Sequence, residues 1–217
     1  MVTWRITPTD PYGAAEVTGM NTMPLEPDSP ETDPLLSEQW QTDGGSHLDM
    51  VIDRQSWPAD VIDAARPALT RATDIACEVF GWPCLEIGAL FCGDDRIREL
   101  NSTFRGKDRP TNVLSFPSGD EDNMPDVPVA DQLAMLAPGE IAIAYETLKT
   151  EAAQDSKPVG DHLTHLWVHG LLHLMGHDHQ ADGEADLMEA GEIRVLALLG
   201  IANPYAHPPE SADGEAV

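Results

Sequence analysis

The chain has 217 residues, of which 12 are Lys or Arg and 38 are Asp or Glu, for a net charge of −26 at pH 7. This length fits one domain with extensions, and the acidity argues against a protein that binds nucleic acid through bulk positive charge. The sequence has no run of about 18 apolar residues and no basic start followed by an apolar stretch, so we expect no membrane span and no signal peptide. Three cysteines without C-x-x-C spacing favour a reducing compartment. We therefore expect a cytoplasmic protein.

Composition divides the chain into three segments. Residues 1–45 are rich in Pro, Thr, Asp, Glu and Gly and lack apolar periodicity, so they are predicted to be a disordered acidic extension. Residues 46–205 carry alternating and helical apolar patterns and are predicted to form one folded domain. Residues 206–217 are predicted to be a disordered tail.

Apolar periodicity predicts four strands and five helices within the folded domain. The strands are expected at 47–53, 84–91, 113–116 and 139–144. The helices are expected at 56–80, after Gly93, at 145–154, from about Asp161, and at 184–199. Pro67 should kink or split the first helix, and Phe104 should face inward from the second. The predicted fold class is α+β, with a small mixed sheet of about four strands packed against about five helices.

The helix that starts near Asp161 ends in the motif VHGLLHLMGHDH, residues 168–179. His169 and His173 are four residues apart and therefore share one helix face. Gly176 allows the chain to leave the helix, so that His179 can turn back toward the other two. Three convergent imidazoles with an open fourth position are typical of a catalytic zinc site. We expect one Zn²⁺ per chain, bound by His169, His173 and His179 at the end of a central helix.

The same spacing of histidines occurs in metzincin proteases, which makes a metalloprotease an alternative. Those proteases place a general-base glutamate directly after the first histidine. Gly170 occupies that position here, and a zinc protease without its base should be severely impaired.

Five of the twelve basic residues fall within fourteen positions: Arg96, Arg98, Arg105, Lys107 and Arg109. An acidic protein with one basic strip can still bind an anionic substrate locally. We interpret Arg96 and Arg98 as ordinary solvated charges on a helix.

Two stretches together resemble the YbeY-type endoribonucleases, which are bacterial rRNA maturation factors. They are HGLLHLMGHDH at 169–179 and FRGKDRPTNVLSFP at 104–117, and the resemblance covers roughly residues 46–205. It implies a metal-dependent endoribonuclease domain that cleaves single-stranded RNA in small-subunit rRNA processing and ribosome quality control. It also implies rRNA and the ribosome or ribosomal proteins as partners.

The resemblance assigns residues as well as an activity. It implies a metal on His169, His173 and His179, and it places the functional arginine of the family at Arg105. One departure is His177, where the family often has tyrosine, and this imidazole could compete for the metal or shuttle protons.

We hypothesise that Arg105 holds the scissile phosphate as a bidentate donor while metal-activated water attacks, with a ribose 2′-hydroxyl as the alternative nucleophile. Lys107 is a further candidate for binding the substrate backbone. Asp178 is expected to stabilise the turn after Gly176 or to orient a ligating imidazole. A second alternative is a ribosome-associated metal-binding assembly factor with little intrinsic catalysis, which the acidity of the chain favours.

Overall fold

The structure is a computed structural model, and it describes residues 34–118, 138–177 and 183–206. The strands in these ranges are β1 (Leu35–Gln41), β2 (His47–Asp53), β3 (Glu86–Cys92), β4 (Val113–Pro117) and β5 (Gly139–Ala144). The helices are α1 (Ala59–Phe80), α2 (Asp94–Arg105), α3 (Tyr145–Gln154), α4 (Val159–Leu174) and α5 (Glu184–Leu198). The predicted α+β fold is confirmed.

The five strands form one mixed sheet in the order β1-β2-β3-β5-β4. The three central strands β2, β3 and β5 are parallel, whereas β1 and β4 are antiparallel edge strands. Ser115 of β4 pairs with Ile141 of β5. The edge strand β4 is therefore paired with another strand on one side only, and Arg105 at the end of α2 contacts it.

Strand β1 corrects the predicted boundary of the disordered extension and raises the predicted strand count from four to five. The strand begins at Leu35, so the prediction that all of residues 1–45 are disordered is wrong at its C-terminal end. The strand is stabilised by pairing with β2 and by Trp40, which is buried opposite Leu48. Residues 1–33 and 207–217 lie outside the described ranges.

Helix α4 is the central helix of the fold. It packs against α1, α3 and α5 and against strands β4 and β5. Residues 163–174 are buried except His165, His169 and His173, because neighbours surround the helix on several sides. Helix α2 contributes to a smaller core cluster with Leu114 of β4 and Ala142 of β5. In the described ranges no helix is long and apolar enough to cross a bilayer.

Helix α1 is continuous through Pro67, so the predicted split does not occur. Proline removes one backbone hydrogen bond, to the carbonyl of Asp63 four residues earlier. Both residues lie on the exposed side of the helix, where water can satisfy that carbonyl.

Phe104 was expected to face inward, and this prediction is wrong. Its side chain is 58% exposed. It lies in the last turn of α2, beside the edge strand β4, and beyond that strand the sheet offers no further surface to cover it. Leu100 and Ile97, one and two turns earlier, are buried as predicted.

Gly139 at the start of β5 gives a test of this architecture. Its φ is +120°, and an added Cβ would lie 2.1 Å from the carbonyl oxygen of Phe116. Because that neighbour is backbone of the paired strand, Gly139→Ala should lower the free energy of unfolding by about 3 kcal/mol or more. The measurement is urea denaturation of the purified variant.

The matched control is Gly81→Ala at the end of α1. Gly81 also has a positive φ, of +76°, but no heavy atom lies within 4 Å of the added Cβ. Only the backbone strain applies there, and the expected loss is about 1 kcal/mol. Equal losses in the two variants would show that the close approach at Gly139 does not limit stability.

Candidate active site

The last two turns of α4 bring two imidazoles face to edge. The ring centroids of His169 and His173 are 4.6 Å apart at an interplanar angle of 83°. Their Nε2 atoms are 3.2 Å apart. The i, i+4 spacing on a helix thus places the two nitrogen atoms side by side, as the sequence predicted.

The other nitrogen of each ring has a hydrogen-bond acceptor. Nδ1 of His169 lies 2.8 Å from Oε1 of Glu192, and Nδ1 of His173 lies 3.0 Å from the backbone oxygen of His177. In the neutral rings the proton therefore sits on Nδ1 of both histidines, which leaves a lone pair on each Nε2. A carboxylate and a backbone carbonyl are the usual acceptors behind metal-ligating imidazoles.

This donor set fits a metal ion. Two unprotonated Nε2 atoms at 3.2 Å repel each other unless a cation lies between them. A tetrahedral zinc ion about 2.0–2.1 Å from each nitrogen would separate the two ligand atoms by about 3.3 Å. The spacing and the Nδ1 contacts of His169 and His173 therefore fit a metal ion such as zinc.

The third predicted ligand, His179, lies outside the described residues, as does Asp178. Within residues 34–118, 138–177 and 183–206, no group of three His, Cys, Asp or Glu side chains is arranged to hold a metal ion. The structure therefore brings together two members of the predicted trio, and the participation of His179 stays a prediction.

Glu192 of α5 is a functional residue that the sequence analysis missed. Its side chain is only 1% exposed, and it accepts hydrogen bonds from His169, from Nε2 of His165 at 2.9 Å, and from the hydroxyl of Tyr205. Burial alone would raise the pKa of this carboxyl, but the three hydrogen bonds outweigh burial and lower the pKa to about 2. Glu192 is therefore ionised throughout the physiological range.

A signal for Glu192 was present in the sequence. It stands four residues after Met188 and three before Val195, both of which are buried on the inner face of α5. A carboxylate in phase with an apolar stripe needs a buried partner. Its partners lie in α4 and near the end of the chain, so the stripe alone does not identify them.

A cavity of about 220 Å³ joins the two histidines to the basic loop. Its walls include three cations, Arg105, Lys107 and Arg109, and none of the described residues that line it is acidic. The remaining lining comes from His169 and His173, from Asn101 of α2, and from residues 111–115. In a chain of net charge −26, this cavity is a local site of positive charge suited to an anion.

Arg105 is the last residue of α2 and spans the gap to the edge strand. Its Nη2 donates to the carbonyl oxygen of Ser115 at 3.3 Å. The loop that follows is anchored by two amides, since Nδ2 of Asn101 donates to the carbonyl of Arg109 and Nδ2 of Asn112 donates to Glu151. The position of the cations is thus fixed by contacts at both ends of the loop.

Arg96 and Arg98 differ from the three cations of the cavity, as the sequence analysis expected. Arg96 pairs with Glu99 at 2.8 Å, one turn along the same helix. Arg98 forms two hydrogen bonds with Asp108, at 2.6 and 3.0 Å, which lower the pKa of that carboxyl. Their charges are neutralised locally at exposed positions.

Gly170, which replaces the protease glutamate, lies against the sheet. A Cβ at this position would meet the side chain of Ile141 at 3.0–3.3 Å. The position is buried in the core, on the side of α4 that faces β5. A carboxylate there would have no space, which removes the general base that the protease alternative needs.

His177 and His162 have structural contacts. The ring of His177 packs on Phe80, with centroids 4.8 Å apart, and its backbone oxygen supports His173. Nε2 of His162 lies 3.0 Å from Glu151 in the core. The expectation that His177 competes for the metal therefore gains no support from the position of its ring.

The carboxylate of Glu192 generates a prediction about stability. Its ordinary pKa is 4.5, and its pKa in the fold is about 2. Because the folded value is the lower one, the carboxylate stabilises the fold above about pH 4.5, and this contribution is lost as the pH falls from 4.5 toward 2. Glu192→Gln, which resembles the protonated form, should lower the free energy of unfolding at pH 7 by about 3 kcal/mol.

Denaturant titrations at several pH values provide the measurement, with Glu189→Gln as the exposed control on the same helix. The difference between wild type and Glu192→Gln should narrow below about pH 4.5. A difference that stays constant from pH 7 to pH 3 would contradict the role of the ionised carboxylate.

Comparison with known proteins identifies the family. A family model described as Endoribonuclease YbeY matches residues 52–200. The chain is 45% identical over 163 residues to an Endoribonuclease YbeY from Jannaschia sp., with 73% of this chain and 99% of the relative covered. It is 43% identical over 160 residues to an Endoribonuclease YbeY from Rhodopseudomonas palustris, with 73% and 80% covered.

Among solved structures, the chain is similar to the solution structure of a protein from Thermotoga maritima. That match has a TM-score of 0.41 and 24% identity, and it covers 73% of this chain and 94% of the other. The family model spans more than half of the chain, and the relative from Jannaschia is matched over nearly its whole length. The resemblance found in the sequence is confirmed, and the chain belongs to the YbeY family.

Proposed function

We propose that this chain is a zinc-dependent endoribonuclease that cleaves single-stranded RNA in ribosomal RNA maturation, with the ribosome as its partner. The observation that carries the proposal is the pair of Nε2 atoms, 3.2 Å apart, on the wall of the cavity that Arg105 also lines. Membership of a family whose members are named endoribonucleases supports RNA as the substrate.

His169, His173 and His179 would hold the zinc ion. Imidazole nitrogen is a preferred donor for zinc, and three protein ligands leave one position open. A bound zinc ion supplies Lewis acidity, which activates water near neutral pH and draws charge from a phosphoryl oxygen.

The chain's own residues bind and orient the substrate around that position. Arg105 presents a planar guanidinium to two oxygens of the scissile phosphate, because its fork matches phosphate geometry. Lys107 and Arg109 lie on the same wall and bind neighbouring phosphates of the strand. Glu192 keeps the proton of His169 on Nδ1, so that Nε2 stays directed into the cavity.

The metal site is tested by His173→Ala. Loss of one of the two imidazoles whose Nε2 atoms lie side by side should remove about one zinc ion per chain and abolish cleavage of single-stranded RNA. Metal content by mass spectrometry and cleavage by gel assay are measured on the same samples, with His47→Ala, an exposed histidine of β2, as the control.

Each result has a distinct meaning. Zinc and cleavage that are lost together in His173→Ala and retained in His47→Ala would support the proposal. Zinc bound by wild type with no cleavage of RNA would overturn it in favour of a metal-binding assembly factor. Cleavage of casein by wild type would overturn the proposal in favour of the metalloprotease alternative.

Arg105→Ala tests the phosphate contact separately from the metal. Removing the guanidinium should lower the cleavage rate about a hundredfold or more while the zinc content stays unchanged. The control is Arg96→Ala, which removes the same charge from the same helix at a residue that pairs with Glu99. Unchanged cleavage by Arg105→Ala would remove this residue from the mechanism.

A further inference from the structure

An exposed aromatic residue immediately precedes Arg105 of the cationic cavity in the chain. Phe104 is 58% exposed at the end of α2. The other large exposed apolar side chains of the described ranges are all leucines, namely Leu35, Leu36, Leu187 and Leu198. The one strongly exposed aromatic side chain of this part of the protein thus immediately precedes Arg105.

The ring of Phe104 is oriented by a second aromatic residue. Its centroid is 5.1 Å from that of Phe116 at an interplanar angle of 65°. Phe116 is half-buried and packs on the core cluster beneath α2. An edge-to-face contact of this kind holds one ring against a fixed one and leaves much of the outer ring accessible.

Phe104 and Phe116 adjoin, in the sequence, the two residues that join α2 to β4 through a hydrogen bond. Arg105 of α2 contacts Ser115 of β4, and the preceding residue of α2, Phe104, contacts the following residue of β4, Phe116. Ser115 itself lines the cavity. Phe104 is not among the residues that line the cavity, so an RNA strand whose phosphate lies against Arg105 would reach the ring where the strand leaves the cavity over the end of α2.

We propose that Phe104, held in place by Phe116, stacks on an unpaired nucleobase next to the phosphate bound by Arg105. This inference rests on the function proposed above. Aromatic side chains beside a positively charged groove are the common means of binding single strands, because every base offers a flat face. A base within a duplex is already stacked on its neighbours and cannot use the ring, so the contact favours unpaired RNA.

The test is single-turnover cleavage of a short single-stranded RNA by the zinc-loaded protein over a range of protein concentrations. Such a titration gives the half-saturating concentration and the saturated rate separately. Phe104→Ala and Phe104→Leu should raise the half-saturating concentration about tenfold, with the saturated rate within about twofold of wild type. Phe104→Trp should keep wild-type values, because it retains a flat ring.

Two controls separate stacking from a structural effect. Leu198→Ala removes an apolar side chain that is 56% exposed on α5, and it should leave both parameters unchanged. RNA with abasic residues around the cleavage site should abolish the difference between wild type and Phe104→Ala, since the charges remain and the base is gone. If Phe104→Ala fails to fold, Phe104→Leu takes its place, because leucine keeps apolar packing on Phe116.

The outcomes distinguish the two proposals. If wild type cleaves RNA, and Phe104→Ala and Phe104→Leu have its half-saturating concentration, stacking is overturned and the proposed function stands. An equal loss on intact and abasic RNA would also overturn it. If the Phe104 variants keep wild-type parameters on free RNA but bind ribosomes more weakly, stacking is overturned and Phe104 contacts a protein instead. Absence of any RNA binding or cleavage by wild type would overturn the proposed function and stacking together.

Discussion

The hydrogen bond between His169 Nδ1 and the buried carboxylate of Glu192 is the contact on which the arrangement of the site depends. It joins the central helix to α5, so it orients the imidazole and docks α5 at the same time. The carboxylate tolerates burial because His165 and Tyr205 share it with His169. A buried charge that lost these donors would destabilise the fold strongly. The direction of the His169 lone pair is therefore set by tertiary structure as well as by helix spacing.

The edge strand β4 supplies the opposite wall. Because it is antiparallel to β5 and follows the loop after α2, it brings Arg105 within reach of the end of α4. The rest of the chain is strongly acidic. Screening in physiological salt limits the range over which each charge acts to about 8 Å. An RNA strand is thus repelled by most of the surface, and the described cavity offers it a cluster of three cations. This contrast favours binding at one place over diffuse adsorption.

Most of the fold followed from local patterns in the sequence. Helix α4 was predictable because its apolar residues repeat with helical spacing, and the i, i+4 histidines fixed the relation of their side chains. Strand β1 was not predictable, because its acidic, proline-rich surroundings hide it and its order depends on pairing with β2, as at Trp40 and Leu48. Phe104 fitted the helical stripe, but the stripe does not reveal where the sheet ends.

The candidate site was predictable only where it depends on local patterns in the sequence. The pairing of His169 with His173 is a local feature, whereas Arg105 and His169 come from distant parts of the chain to line one cavity, and only the family resemblance anticipated this. Glu192 carried a local signal, a carboxylate in an apolar stripe, but its partner His169 lies 23 residues earlier. Residues that act through long-range contacts need the fold before their role can be read.

The dependence of His169 on Glu192 also imposes an order on biosynthesis. The ribosome completes α4 before it makes α5, so the imidazole of a growing chain lacks its carboxylate until α5 has emerged and docked. Tyr205, which shares that carboxylate, is made later still. A growing chain therefore carries an unfinished site until α5 has emerged and docked. Because one acidic residue of α5 completes the site, translation of α4 alone does not produce a finished site.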